Sequence, residues 1–424
     1  MTVTVPVGVC TWTTPVAPPC HSITLQGAGQ SNGTTIVVNI ASGFGNDGYL
    51  VSGCSGKQMR ITEFDWQNRS VDAFGILMFT GGSGLSVRID HNTFEPFSGA
   101  PGYGRALSFR VPCISPGCVV DHNTFVDQGL IIEKNQAGEV NPGDKAWGQG
   151  APFETINAFY LEDNTMNYPN FAAHQVDIDC DTGGSYVFRH NTVTGNAVGN
   201  HGYDSVPNGC VMEDIYLNTL NPNSVSAFGI QYRGGTGIAW SNIFTGSATQ
   251  QEFGITNYRS DSNGFVGATG NGHCDGTNSK DGNANPAASV GWPCYQQIGR
   301  TSGSSNGGLI SQPLYEWDNC RSALGCTGTA NQVTATVYDA GSGTNWTPSE
   351  VGQNRDFYDS QNGACSGSQS TGVCIGLFSQ RPPTCTPGVG FWATDRQTLY
   401  QCQSGNAWAI FYQPFAYPHP LAGP

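Results

Sequence analysis

Arg88-Ile89-Asp90-His91-Asn92-Thr93-Phe94 is echoed by Val119-Val120-Asp121-His122-Asn123-Thr124-Phe125. The phrase returns as Tyr160-Leu161-Glu162-Asp163-Asn164-Thr165-Met166 and as Val187-Phe188-Arg189-His190-Asn191-Thr192-Val193. Weaker copies are Ile215-Tyr216-Leu217-Asn218-Thr219-Leu220 and Ala239-Trp240-Ser241-Asn242-Ile243-Phe244. The asparagines stand at 92, 123, 164, 191, 218 and 242, in steps of 31, 41, 27, 27 and 24 residues. A step of roughly 25 residues is one turn of a three-stranded solenoid, and the longer steps carry loop insertions. The corner between two strands needs a left-handed residue, which asparagine tolerates, so the Asn is expected to supply it. Stacked Asn side chains can then hydrogen-bond up and down the ladder. The Thr-Phe or Thr-Val that follows starts the next strand, with its apolar residue inward.

The rest of the chain agrees. In 424 residues there are 58 Gly, and only 11% of residues are charged. Such a composition fits many short strands joined by tight turns. No long stretch has apolar residues at helical spacing. A length beyond the usual single domain is no obstacle, because each solenoid turn buries its core against the next. The formal net charge of -14 disfavours nucleic acid and anionic membranes as partners, while leaving an acidic polysaccharide open. No apolar run is long enough to span a membrane. Met1-Thr2-Val3-Thr4-Val5 already has the look of a strand, so a leader removed before maturation is expected.

Fifteen cysteines point to an oxidising compartment and a secreted protein. Spacing suggests the pairs Cys113/Cys118, Cys274/Cys294, Cys320/Cys326, Cys365/Cys374 and Cys385/Cys402, with Cys180 and Cys210 joining adjacent turns. Cys10, Cys20 and Cys54 form an odd set near the N-terminus.

The recurring phrase resembles the right-handed parallel β-helix proteins of the pectate-lyase-like superfamily, and Ser22-Ile23-Thr24-Leu25-Gln26-Gly27-Ala28-Gly29 resembles their first turn. The resemblance covers roughly residues 20 to 320 and implies an all-β, three-sheet, right-handed parallel β-helix. Three segments are expected: an N-terminal cap strand (1–21), the β-helix (22–325), and a loop-rich C-terminal region with a small β-cap (326–424). The cap is expected to cover an open end or edge of the helix. Trp392, Tyr400, Trp408 and Tyr412 within it are assigned to packing in preference to a sugar platform.

Fold alone does not set function, since this superfamily holds lyases, hydrolases, esterases, epimerases and adhesins. The resemblance implies a cleft along the strand preceding the one that leads to the Asn corner. Its successive copies are 105–110, 130–135, 174–181, 199–204, 228–233 and 254–259. Alternation turns Val176, Ile178 and Cys180 inward and puts Asp177, Asp179 and Asp181 on the outer face. Stacking the copies adds Arg110, Glu133, His201, Tyr203, Gln231 and Arg233 to the same column, with Arg259 beyond. Three carboxylates on one face repel each other, so some should hold a proton or bind a cation. A protonated carboxyl beside an ionised one is what glycoside hydrolysis uses.

The order Asp-x-Asp, then His-Gly, then Arg is similar to that of polygalacturonase-type hydrolases. It implies Asp179 and Asp181 as the acid and base pair, His201 as helper and Arg233 as substrate clamp. This chain departs from the pattern: Cys180 separates the two Asp, Asn200 precedes His201, and Gly235 stands where a Lys would follow Arg233. The expected activity is therefore a secreted, monomeric, polysaccharide-degrading glycoside hydrolase with no required cofactor. One alternative is a Ca2+-dependent polysaccharide lyase, with the Asp cluster holding the ion and Arg233, Arg110 or Lys134 as base. Another is a non-catalytic glycan-binding or adhesin β-helix. His91, His122, Asp163 and His190 are assigned to a stacked external row and not to a metal, and Glu162 and Asp163 fall at the corner away from the cleft. Lys145 and Trp147 are candidates for a cleft wall.

Overall fold

The computed structural model describes residues 1–30, 33–40, 48–69, 75–98, 104–133, 154–169, 176–181, 184–200, 210, 212–222, 228–246, 251–257, 292–293, 297–302, 309–321, 331–338, 351–361, 365 and 367–423. Within these ranges the side chains of Ile131, Glu133, Val176, Asp177, Asp179, Cys180, Asp181, Ala197, Asn200, Thr301, Ser302, Leu309 and Ile310 are left undescribed. The described residues form a right-handed parallel β-helix with three long sheets of 11, 9 and 9 strands. Each coil visits them in turn. Thr93–Pro96 lies in sheet II, Gly104–Arg110 in sheet III and Cys113–Asp121 in sheet I. The next coil repeats this with Thr124–Val126, Gln128–Glu133 and Phe159–Glu162. Thr2–Thr4 and Gly8–Trp12 already pair into sheets I and II, and Phe357–Tyr358 is the last strand of sheet I.

Alternation fills the lumen. Leu107, Phe109, Leu130, Ile132, Ile178 and Val198 from sheet III meet Val87, Ile89, Val120, Leu161, Phe188 and Ile215 from sheet I in one continuous core. Phe94 and Phe125 stack in register, 5.0 Å apart.

The corner corrects one expectation. The left-handed residue is not the Asn but the one before it: His91 (φ 54°), His122 (56°), Asp163 (58°), His190 (57°), Leu217 (56°) and Ser241 (50°). The Asn itself is buried. Asn123 Oδ1 accepts the backbone N–H of Asn92 at 2.9 Å and its Nδ2 at 3.0 Å. In turn Asn123 Nδ2 donates to Ile89 O at 2.8 Å and reaches Asn164 Oδ1 at 3.1 Å. The same links run through Asn191, Asn218 and Asn242 to Asn319, which the spacing pattern had missed because it follows a step of 77 residues. An amide fully engaged inside the helix cannot sit at the solvent-facing bend, so its neighbour takes the left-handed turn at a cost of about 1–2 kcal/mol. That neighbour's side chain projects outward, which is why its identity varies. His91 and His122 stack there at 5.1 Å.

The C-terminal sheet (Val373–Gly376, Gly390–Ala393, Thr398–Gln403 and Ala407–Tyr412) packs on the outer face of sheet I. The reason is the outward row of sheet I two residues before each Asn. It runs Asp90, Asp121, Glu162, Arg189 and then turns aromatic at Tyr216, Trp240 and Trp317. Trp240 and Trp317 stack at 5.8 Å, and Trp392 of the C-terminal sheet lies 5.0 Å from each. Trp392, Tyr400 and Tyr412 are buried, so these aromatics serve packing.

Beyond Tyr412 the tail runs back along the charged part of the row. Arg189, fully buried, donates to Phe415 O (2.8 Å), Ala416 O (2.9 Å) and Glu162 Oε2 (2.8 Å). Glu162 Oε1 accepts His419 N–H at 2.9 Å, and Arg88 donates to the carbonyls of Ala422 and Gly423. Glu154 completes the clamp, accepting from Tyr412 Oη (2.7 Å), Tyr216 Oη (2.9 Å) and Phe415 N (2.6 Å).

Disulfides join Cys20 to Cys54, Cys113 to Cys118, Cys365 to Cys374 and Cys385 to Cys402. The first resolves the odd N-terminal set and leaves Cys10 free and exposed. Cys210 and Cys320 are also disulfide-bonded. Cys274, Cys294 and Cys326 lie outside the described residues.

Two stability tests follow from these contacts. Asn164→Ala should cost about 3 kcal/mol in urea unfolding, because it strands buried partners in two neighbouring coils. Retention of wild-type stability would contradict the ladder's role. Arg189→Met should cost about 3–5 kcal/mol by removing the cation from buried carboxylates. It should also release the tail to limited proteolysis ahead of global unfolding.

Candidate functional site

The column expected along sheet III can be followed through backbone register. Arg110 pairs with Thr80, and Phe109 pairs with Ile132, so Arg110 and Glu133 occupy the next position on their two strands. Glu133 in turn pairs with Asp181, and Ile131 with Asp179. Ile178 is buried in the core. Parallel strands lie about 4.8 Å apart, which sets Arg110 about two rungs, or roughly 10 Å, from Asp181 at the backbone level.

Past this strand the register shifts between Val176 and Ile178 as it meets Ala197–Asn200. That strand approaches Phe228–Tyr232 very closely: a Cβ on Gly199 (φ 128°) would stand 2.0 Å from Gln231 O, so only glycine fits. His201 and Tyr203 lie outside the described residues, as do Lys134, Lys145, Trp147 and Arg259.

The remaining two candidates are buried. Gln231 is 1% exposed, and its Nε2 donates to Tyr338 Oη, which withdraws it from the surface. Arg233 is 8% exposed and follows directly on Tyr232, at the turn from sheet III to sheet I. Arg110, at the equivalent turn of an earlier coil, is half-buried.

Arg233 has a companion that was not singled out. Glu213 is fully buried inside the solenoid, on the strand Met212–Tyr216 of sheet I. Its Oε2 accepts from Tyr186 Oη at 2.7 Å. Burial pushes its carboxyl up to about 8, opposed by the Tyr186 hydrogen bond and then by the charge of Arg233. It is therefore a carboxylic acid kept protonated at neutral pH. The signal was present in the sequence, because Glu213 shares the parity of Ile215, an inward residue. Inward and outward carboxyls thus alternate at Glu213 and Asp214, and burial raises Asp214 well above the usual range too.

Glu162 and Asp163, set aside as candidates, belong to the tail clamp: Glu162 binds Arg189 and His419, and Asp163 accepts from Tyr417 Oη at 2.7 Å. His190 stacks on the Tyr417 ring at 3.6 Å. Among the described residues no group of three or more His, Cys, Asp or Glu has the arrangement of a metal site, and the side chains of Asp177, Asp179 and Asp181 are not among those residues. Two surface clefts lie elsewhere. One is on sheet I beside Arg60, Arg88 and Leu421, and the other is between the last coils and the C-terminal sheet.

Fold and covalent structure define a disulfide-bonded, right-handed parallel β-helix protein with a β-sheet docked on one face. Comparison with protein-family models, with curated proteins and with solved structures gives no match.

The buried carboxyls predict how stability depends on pH. Glu213 (to about 8), Glu154 (to about 7), Asp214 and Glu316 are all raised, chiefly by burial. Each holds its proton more tightly in the folded chain, so its contribution is complete below its ordinary value and is lost as pH rises through the folded one. His419 acts in the opposite sense. Burial lowers it to about 4, so it costs stability as pH falls from about 6.5 to 4 and is silent above. The melting temperature should therefore fall steadily from pH 6.5 to 9, and Glu213→Gln should flatten that slope. A flat profile, or an unchanged slope in the variant, would count against this reading.

Proposed function

We propose that this chain is a secreted polysaccharide-degrading glycoside hydrolase of the pectate-lyase-like kind, acting along sheet III by carboxylate acid/base catalysis. The observation that carries the reading is the strand register. Arg110, Glu133 and Asp181 occupy one column, and Asp179 lies two residues before Asp181 on the same strand. Residues two apart in a strand are separated by about 6.6 Å at the backbone, a separation at the lower end of the range that inverting glycosidases use between their two carboxyls. In this reading Asp181 and Asp179 divide the work of proton donor and base or nucleophile, with Asp177 holding the sugar ring. His201 adjusts the acid's proton. Arg110, Glu133 and Tyr203 bind substrate, while the buried Arg233 and Gln231 brace the strand end from behind. The polygalacturonase-like order of Asp, His and Arg adds support, as do the disulfides for a secreted chain.

The test is incubation with plant, algal and microbial polysaccharides, with and without a calcium chelator. New reducing ends, without the ultraviolet absorbance of an unsaturated sugar, are expected. Asp179→Asn and Asp181→Asn should each lower the rate by about two decades or more with unchanged melting. Chelator-sensitive absorbance would replace hydrolysis by a lyase reaction. Full activity in both variants would move the chemistry away from this strand.

A further inference from the structure

The first coil of the solenoid has an open side. Thr2–Thr4 is the outermost strand of sheet I and Gly8–Trp12 the outermost strand of sheet II, and each pairs on one side only among the described residues. Val3, Cys10, Trp12 and Val16 register with Leu25, Ile36, Val38 and Tyr49, which belong to the core or pack on it, so they form the mouth of the lumen. Yet Val3 and Val16 are each 37% exposed, and Cys10 is exposed with a free thiol. Of the nine large apolar side chains exposed among the described residues, five (Met1, Val3, Val7, Val9 and Val16) lie in this coil, so exposed apolar surface is concentrated here. Charge marks the same end. The chain has 17 Lys and Arg and 31 Asp and Glu, and none of them stands before Asp47. Edge strands are ordinarily guarded by charge, Lys above all, and these two strands carry none. Two chains of net charge -14 repel each other over most of their surface, so an uncharged end is where two copies can meet.

The main chain of Gly8–Trp12 fixes how they meet. Gly8 N–H donates to Gly33 O (3.1 Å), and Trp12 O accepts from Asn39 N–H (2.8 Å). By alternation Gly8, Cys10 and Trp12 turn their main-chain groups to the neighbouring strand Thr34–Val38, while Val9 and Thr11 turn theirs to the open side. A second copy related by a two-fold axis lays the same strand antiparallel to the first. Full overlap of the five residues sets Cys10 opposite Cys10 and Val9 opposite Thr11. In that register Val9 and Thr11 form hydrogen-bonded pairs, using the N–H and C=O groups that face the open side. Cys10 falls at the non-hydrogen-bonded position, where Cα atoms lie about 4.5 Å apart, within the reach of a disulfide. A single axis therefore satisfies the main chain and brings the two thiols together. Sheets I and III exchange places across it, so Thr2–Thr4 of each copy meets the Val16 stretch of the other.

We infer that the first coil is a self-association face: two copies join end to end through antiparallel pairing of Gly8–Trp12 with itself, with Cys10 on the two-fold axis. This dimer, in place of the monomer expected from the sequence, covers the apolar mouth of the lumen. It is independent of the chemistry proposed for sheet III.

Sedimentation equilibrium of the full chain under reducing conditions tests it. A concentration-dependent equilibrium between monomer and dimer is expected. Val9 is 75% exposed, so Val9→Lys charges the strand edge without touching the core. It should weaken the dimer at least about tenfold with an unchanged melting temperature. Ile410→Lys, at a side chain 61% exposed on the C-terminal sheet, should leave the dimer intact. Oxidised glutathione supplies a second readout. One Cys10 thiolate displaces a glutathione thiolate from it, and the other Cys10 thiolate then displaces the second, leaving one interchain disulfide and two reduced glutathiones. The Cys10–Cys10 peptide should form in the wild-type chain and fall sharply in Val9→Lys, which keeps Cys10. Cys10→Ser should lose the cross-link and keep the reversible dimer. Three results would overturn the inference: a monomer at every concentration reached, a dimer as tight in Val9→Lys as in the wild type, or a cross-link that Val9→Lys leaves undiminished.

Discussion

A side-chain amide buried in a protein must have partners for its donors and its acceptor, and in this solenoid those partners are supplied by the coil above and the coil below. That requirement makes the Asn ladder the interaction on which the other features depend. Asn92, Asn123, Asn164, Asn191, Asn218 and Asn242 each pass a hydrogen bond to the next, the last of them to Asn319. A slip of one residue in any coil would leave two amides unsatisfied and would turn the strand's apolar side to water. The ladder thus fixes register for sheets I and II on either side of the corner. Among the described residues sheet III shows no such ladder. Its register shifts between Arg105 and Leu107 and between Val176 and Ile178, and away from the corner sheet I shifts as well, between Ser55 and Lys57 and between Cys113 and Cys118.

The outer surface of the solenoid is set by a different constraint. Sheet I carries a row that is charged at one end and aromatic at the other. The C-terminal sheet covers the aromatic end because Trp240 and Trp317 would otherwise lie open to solvent. The tail then crosses the charged end, with main-chain carbonyls and amides matched to Arg88, Arg189 and Glu162. Burying ions is costly, and each is satisfied by more than one partner, so the clamp specifies where the tail lies more than it adds to stability. The consequence for function is exclusion: the rungs of sheet I under this clamp are occupied by the protein's own chain.

Acidic groups are distributed unequally between surface and interior. Glu154, Glu213, Asp214, Glu316 and Asp359 are all raised, mainly by burial. At the last rung, Asn319 Nδ2 donates to Glu316 Oε2 at 2.8 Å, so a carboxyl terminates the ladder where the next Asn would stand. A chain built this way is stabilised by protons it keeps.

The repeat itself was legible because its period and phase are local properties: Asn-Thr-apolar at each corner is visible without any contact map. The same holds for the inward assignment of Ile178 and for three of the short-range disulfides. The row at Tyr216, Trp240 and Trp317 was equally readable, since it stands two residues before each Asn, but what would cover it was not. Only the tertiary structure decided which residue takes the left-handed bend, because that choice depends on whether the amide has a partner in the neighbouring coil. It also decided that Asn319 continues the ladder across 77 residues, that Glu213 comes near Arg233, and that Arg300, Arg355 and Gln403 share a cleft. These pairings join positions tens to more than a hundred residues apart. Sequence spacing carries no information about them until the coils are stacked and the C-terminal sheet is docked.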